Sequence, residues 1–120
     1  MKTKHTLPAA FKAAFNGIRL FFWNERNGKI QLAVSILVII ASAVLQISPV
    51  EWMFVCICIG MVILSEILNS AVEKICDLIS ESYHPAIKII KDISAAAVLW
   101  AAILSVIIGC IIFIPKIFFF

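Results

Sequence analysis

Charge, glycine and proline are all scarce. Only 14% of the 120 residues are Asp, Glu, Lys or Arg, while 63% are hydrophobic. An ordinary soluble domain carries about 25% charged residues, and a soluble fold of this length has too little core to hide so much apolar surface. The same composition excludes an intrinsically disordered chain, which requires low hydrophobicity and high charge. Ten Lys/Arg against seven Asp/Glu leave a net charge of +3, too weak for a nucleic-acid module. Four glycines, four prolines and no Gly/Ser-rich stretch leave no linker between domains. The glycines, Gly17, Gly28, Gly60 and Gly109, form no phosphate-cradling loop; a bound nucleotide would have to be held by metal-bridged carboxylates and lysines. The cysteines, Cys56, Cys58, Cys76 and Cys110, lack C-x-x-C spacing and read as apolar packing residues. No Ser/His/Asp arrangement is legible. What remains is an all-α integral membrane protein with residues 1–120 forming one domain.

Two long apolar runs stand out. Ile30–Val50 is uncharged over 21 residues and Ile93–Pro115 over 23, and a bilayer core needs roughly 20. A middle run is uncharged for only 14 residues after Glu51, rising about 21 Å against a core of roughly 30 Å. Its helical pattern nevertheless continues through Glu66-Ile67-Leu68-Asn69-Ser70-Ala71-Val72-Glu73. A long helix leaving the membrane with carboxylates on it is therefore expected. Transmembrane helices are predicted over about 30–48, 50–80 and 92–115. Gln46-Ile47-Ser48-Pro49 separates the first two. His84-Pro85 breaks the chain before the third, because a residue preceding proline avoids the helical region. Within residues 1–28, Phe11, Phe15, Ile18 and Phe22 recur at helical spacing, with Lys12 and Arg19 on other faces. This amphipathic helix either lies on the membrane surface or packs on its own bundle.

Charge placement predicts a topology. Lys2, Lys4, Lys12, Arg19, Arg26 and Lys29 precede the first run, and Lys74, Lys88 and Lys91 lie between the second and third. The connection between the first two runs has no Lys or Arg. The positive-inside rule puts the N-terminus and the second connection in the cytoplasm and the C-terminus outside. No short apolar stretch with a small-residue cleavage site opens the sequence, so no signal peptide is expected.

Glu66, Asn69, Glu73 and Asp77 are spaced by three, four and four residues. At 100° per residue they fall within about 80° on one helix face. Glu66 sits among apolar residues just inside the predicted boundary, where a carboxylate is expensive and marks a functional-site candidate; general-base work is its natural role. Carboxyls on one face repel unless a cation lies among them, and oxygen-only ligands suit Mg²⁺. Glu25 falls at the depth of Glu73 and could supply a second ligand. Lys91 and Asp92 lie at the same boundary. Anchoring in the headgroup region is the plainer role for Asp77, Glu81, Lys88 and Lys91.

Around these residues the sequence resembles the prokaryotic diacylglycerol kinase family, which includes undecaprenol kinases. The resemblance covers nearly the whole chain. It centres on Glu66-Ile-Leu-Asn-Ser-Ala-Val-Glu73, with Asp77, Tyr83-His84-Pro85 and Lys91-Asp92 downstream, and Phe11-Lys-Ala-Ala-Phe-Asn-Gly-Ile18 and Glu25-Arg-Asn27 upstream. It implies a homotrimeric enzyme of the bacterial inner membrane, with sites between chains, that moves the γ-phosphoryl group of ATP onto a lipid hydroxyl. By position, Glu66 is implied as the general base and Glu25 and Glu73 as Mg²⁺ ligands beside the nucleotide phosphates. Asn69 is implied to orient Glu66 or the substrate. Asp77, Ser82, Tyr83, His84, Lys91 and Asp92 line the implied nucleotide site, with Lys91 on the phosphates. Arg19, Gln31 and Ala95 are implied at the lipid. Gln31, Gly28 and Ala95 depart from the residues common in the family, and acceptor identity is what they bear on. Glu25-Arg-Asn27, Val50-Glu-Trp-Met53, His84-Pro85 and the Ile-Ile-Phe-Ile-Pro-Lys116 close lean towards undecaprenol as acceptor, with diacylglycerol the alternative. A small transporter or channel subunit would need its acids near the bilayer centre; here they gather at one edge. A structural or signalling partner without chemistry is the third class.

Overall fold

A computed structural model describes residues 6–119; Lys2 and Lys4 lie outside the described residues. The described residues form four helices, α1 (Leu7–Asn24), α2 (Arg26–Val44), α3 (Pro49–Ile79) and α4 (Pro85–Phe118). There is no strand among the described residues. α2, α3 and α4 are each long and apolar enough to cross a membrane.

The helix limits differ from those expected, for local reasons. The amphipathic segment does not run to residue 28. It starts behind Thr6, whose hydroxyl accepts the Ala9 N–H at 3.3 Å, with Pro8 in the first turn. It stops at Glu25, whose backbone is extended (φ −91°, ψ 134°) and which both ends α1 and precedes α2. The first spanning helix therefore begins at Arg26 rather than 30. It closes at Val44 rather than 48, because Gln46 takes a left-handed conformation (φ 52°). α3 opens with a capping box between Ser48 and Glu51 behind Pro49, which satisfies N–H groups that a helix start leaves free. α4 begins at Pro85, seven residues before the expected 92, since the His84 imidazole caps it through the Ala86 N–H at 3.1 Å. Uncharged runs measure the part of a helix in contact with lipid. They do not measure the polar turns that extend it, and α3 and α4, at about 46 and 51 Å by rise, outreach a core of roughly 30 Å.

α1 folds back on α2 at the Glu25 elbow. Phe21 is its buried residue, and it meets Gly28 so closely that a Cβ there would lie 1.9 Å from the Phe21 carbonyl oxygen. Phe11 and Phe15 stay 57% and 67% exposed, so the apolar face of α1 is not covered by its own bundle, which favours the membrane-surface reading. α2 turns Gly28, Ser35 and Ser42 inwards. Small residues seven apart let neighbouring helices approach closely. At the end bearing the α2–α3 turn, Ile47, Val55 and Ile112 form the packed core, and Glu51 pairs with Lys116 at 3.0 Å. The outside is apolar: Leu37, Leu99, Trp100, Val106 and Ile111 are all exposed, as lipid contact requires.

Candidate functional site at the polar end of α3 and α4

The packed face of α3 changes character along its length. Val55 and Cys58 are buried in its first half, and Glu66, Asn69 and Ser70 in its second. Glu66 is 7% exposed and Asn69 6%. Glu66 Oε2 and Asn69 Oδ1 are buried with no hydrogen-bond partner among the described residues. Two unpaired acceptors one helical turn apart are costly in so apolar a setting. They lack a donor, and a hydroxyl supplies one.

Glu73 and Asp77, one and two turns further on, are exposed, so the stripe runs from buried to solvated over about 16 Å. Three helices meet its solvated part. The Lys74 ammonium holds Glu25 Oε2 at 3.1 Å, which ties the α1–α2 elbow to α3. Lys91 donates to Asp77 Oδ1 at 2.8 Å, which ties α4 to α3. Lys88 donates to Asp92 Oδ2 at 2.6 Å within α4. Glu25, Glu73, Asp77, Lys91 and Asp92 thus share one rim.

The other predicted residues are placed differently. His84 serves as the α4 cap, Ser82 contacts the Ser80 hydroxyl at 3.1 Å, and Tyr83 is 78% exposed; all three sit in the α3–α4 connection beside the rim. Arg19 donates to Asn16 Oδ1 at 2.9 Å on α1. Gln31 lines an apolar cavity of ≈ 300 Å³ between α2, α3 and α4. Ala95 is exposed on α4 and lines neither that cavity nor a second groove of ≈ 360 Å³ between α3 and α4, which ends at Asn69. Sequence reasoning missed Lys74 as the partner of Glu25, although its place next to Glu73 was the available signal.

The rim also bears on metal binding. No group of three or more His, Cys, Asp or Glu side chains forms a metal cage among the described residues. Mg²⁺ does not need one, since it keeps waters and takes one or two carboxylates plus substrate phosphates. Glu25 and Glu73 are both carboxylates near the solvated end of the stripe, with Glu25 held by Lys74.

Among known proteins, the family model described as prokaryotic diacylglycerol kinase matches residues 12–113. An undecaprenol kinase of Bacillus subtilis is 38% identical over 107 residues, covering 89% of this chain and 87% of that protein. A diacylglycerol kinase of Synechocystis is 34% identical over 110 residues, 91% of this chain and 63% of the relative. A diacylglycerol kinase of Escherichia coli is 30% identical over 99 residues, 82% of this chain and 81% of the relative.

Proposed function

The chain belongs to the prokaryotic diacylglycerol kinase family and is a membrane lipid kinase, and from that premise we propose that it phosphorylates undecaprenol with ATP at the cytoplasmic face of the bacterial inner membrane. The buried Glu66–Asn69 pair, with an unpaired oxygen on each side chain, is the observation that carries this reading. The acceptor is taken from the Bacillus subtilis relative. Diacylglycerol, named for the Synechocystis and Escherichia coli relatives, is the second reading.

Phosphoryl transfer requires positioning and charge neutralisation more than covalent chemistry. Glu66 takes the proton of the lipid hydroxyl, and Asn69 holds that hydroxyl against it. The lipid oxygen bonds to the γ-phosphorus of ATP as the bond to the β–γ bridging oxygen breaks, and ADP leaves. Glu66 then returns its proton to water at the rim. Lys91 faces the phosphates, and Asp77, Ser82, Tyr83, His84 and Asp92 line the nucleotide. Arg19, Gln31 and Ala95 lie towards the lipid. Glu25 and Glu73 would hold Mg²⁺, which when bound neutralises phosphate charge. A homotrimer with sites between chains is part of this reading.

Purified protein given Mg-ATP and either undecaprenol or diacylglycerol tests the assignment. Labelled undecaprenyl phosphate is the expected main product. Turnover of diacylglycerol alone would transfer the assignment to the second reading, and no product from either lipid would overturn both.

A further inference from the structure

α2 is held to α3 unevenly. At the far end it is packed, with Val38 and Leu45 against the core of Ile47, Val55 and Ile112. Towards the rim the packing stops, and Gln31, Val34 and Ser35 of α2 face Cys58 and Val62 of α3 across the ≈ 300 Å³ cavity. The stretch from Val38 back to Glu25 spans about 20 Å by helical rise and forms an arm supported at its far end. α1 rides on this arm, because its buried residue, Phe21, docks on Gly28 of α2. Among the described residues, Lys74 with Glu25 is the only ion pair or side-chain hydrogen bond that joins the arm to α3. Glu25 commits its carboxylate to that bond: it precedes α2 but makes no side-chain cap. Lys74 also passes over Asp77, the acid three residues on, where helix neighbours meet. Asp77 is taken by Lys91 at 2.8 Å.

We propose that Lys74 is a positioning residue for phosphoryl transfer: its ammonium clamps the α1–α2 elbow to α3 and so fixes where the Glu25 carboxylate stands along the acid stripe. The proposal rests on the lipid-kinase reading, in which Glu25 works at the rim, and adds a residue that acts through it. Lys74 follows Glu73 directly. A carboxylate held on it is therefore referred to a backbone position only about 1.5 Å of rise from that of Glu73. Without the clamp Glu25 swings on the arm, and the cavity beside α2 leaves room for the swing. The two side chains are 65% and 27% exposed, so the pair adds little to overall stability. Its leverage is on the elbow alone, where a small bias between a clamped and a released position changes how much of the protein is competent. Solvent ions reach both charges, so salt weakens the clamp.

Distances between spin labels at Asn24 and Leu78, both exposed, test the clamp. They are measured in the full chain without its native cysteines, diluted with unlabelled chains in lipid nanodiscs and free of nucleotide and divalent cation. A narrow distribution is expected with Lys74 present, and a broader, longer one in Lys74→Gln. Lys74→Arg should keep the narrow distribution, and Glu25→Lys combined with Lys74→Glu should restore it. Raising NaCl from about 0.05 to about 1 M should broaden the distribution with Lys74 present and leave Lys74→Gln unmoved. Kinetics test the positioning role. Lys74→Gln is expected to lower kcat/KM for Mg-ATP about threefold and Lys74→Arg to keep it. The charge exchange should leave turnover lost although the elbow is back in place. In Glu25→Gln the further change Lys74→Gln should cost nothing more, because Lys74 acts through Glu25. An unmoved distribution in Lys74→Gln would overturn the clamp. A second loss of the same size on top of Glu25→Gln would overturn the positioning role, since Lys74 would then act elsewhere. A wild-type protein that phosphorylates no lipid, with the distances as expected, would support the clamp and remove the kinase reading together with the positioning role.

Discussion

At the scale of single residues, Glu66 is a buried carboxyl with an unpaired oxygen, a costly arrangement that the proposed base role would explain. A carboxyl buried with one oxygen unpaired gains nothing from its surroundings, whereas a proton acceptor at that depth is what an alcohol needs before attacking phosphorus. Glu66→Gln keeps size and burial but removes the base. It is expected to lower turnover by about 10²–10⁴-fold without lowering the melting temperature or dissociating the assembly; wild-type turnover would remove Glu66 from this role. Glu73 is exposed, so its substitution has little to disturb in the packing. Glu73→Gln should shift the Mg²⁺ titration of turnover to higher concentration, and an unmoved titration would argue against ligation there. Lys74 and Glu25 form a partly exposed pair, worth about 0–1 kcal/mol at most. What it does in the structure is link the α1–α2 elbow to α3.

At the scale of elements, the α1–α2 elbow is the tightest joint. It puts Glu25 at the rim because the chain there is extended between two helices, and it closes only because Gly28 has no Cβ. Gly28→Ala brings a carbon to 1.9 Å from a backbone oxygen, which a side-chain rotation cannot relieve. The elbow must open, with an expected loss of at least about 1–3 kcal/mol. Thermal unfolding in detergent reads the loss. If Glu25 holds Mg²⁺ as proposed, a raised Mg²⁺ requirement is expected with it, since Glu25 moves with the joint. A variant as stable as wild type would show that α1 docks more loosely than this geometry implies. α3 spans both parts of the acid stripe. One helix carries the buried acceptors and, two to three turns after Glu66, the solvated acids, so on the proposed reading a single rod would set the depths of both lipid and nucleotide.

At the scale of the whole molecule, apolar side chains face outwards and polar side chains collect at one end. The charge pattern predicts that this end is cytoplasmic. In a variant without the native cysteines, Ser82→Cys should react with a membrane-impermeant maleimide only after cell lysis, and Ser48→Cys in intact cells. The reverse pattern would invert the topology and place the site on the wrong side for ATP. Among the described residues Lys116, paired with Glu51 at 3.0 Å, is the single Lys or Arg at the far end, too few to oppose the basic residues at the other.

Helix number, membrane character and the acid stripe could all be read from the order of residues, because they depend on local quantities: charge-free length, spacing by three and four, and the position of Pro85. The same holds for the family and hence for lipid-kinase chemistry, carried by the run from Glu66 to Glu73. Partnerships across elements could not be read that way. Lys74 with Glu25, Lys91 with Asp77, the contact of Gly28 with Phe21 and the groove leading from Asn69 each join residues on different helices. No periodicity encodes them; they arise from how closely small residues let the helices approach and from the angle at which the Glu25 elbow folds α1 back.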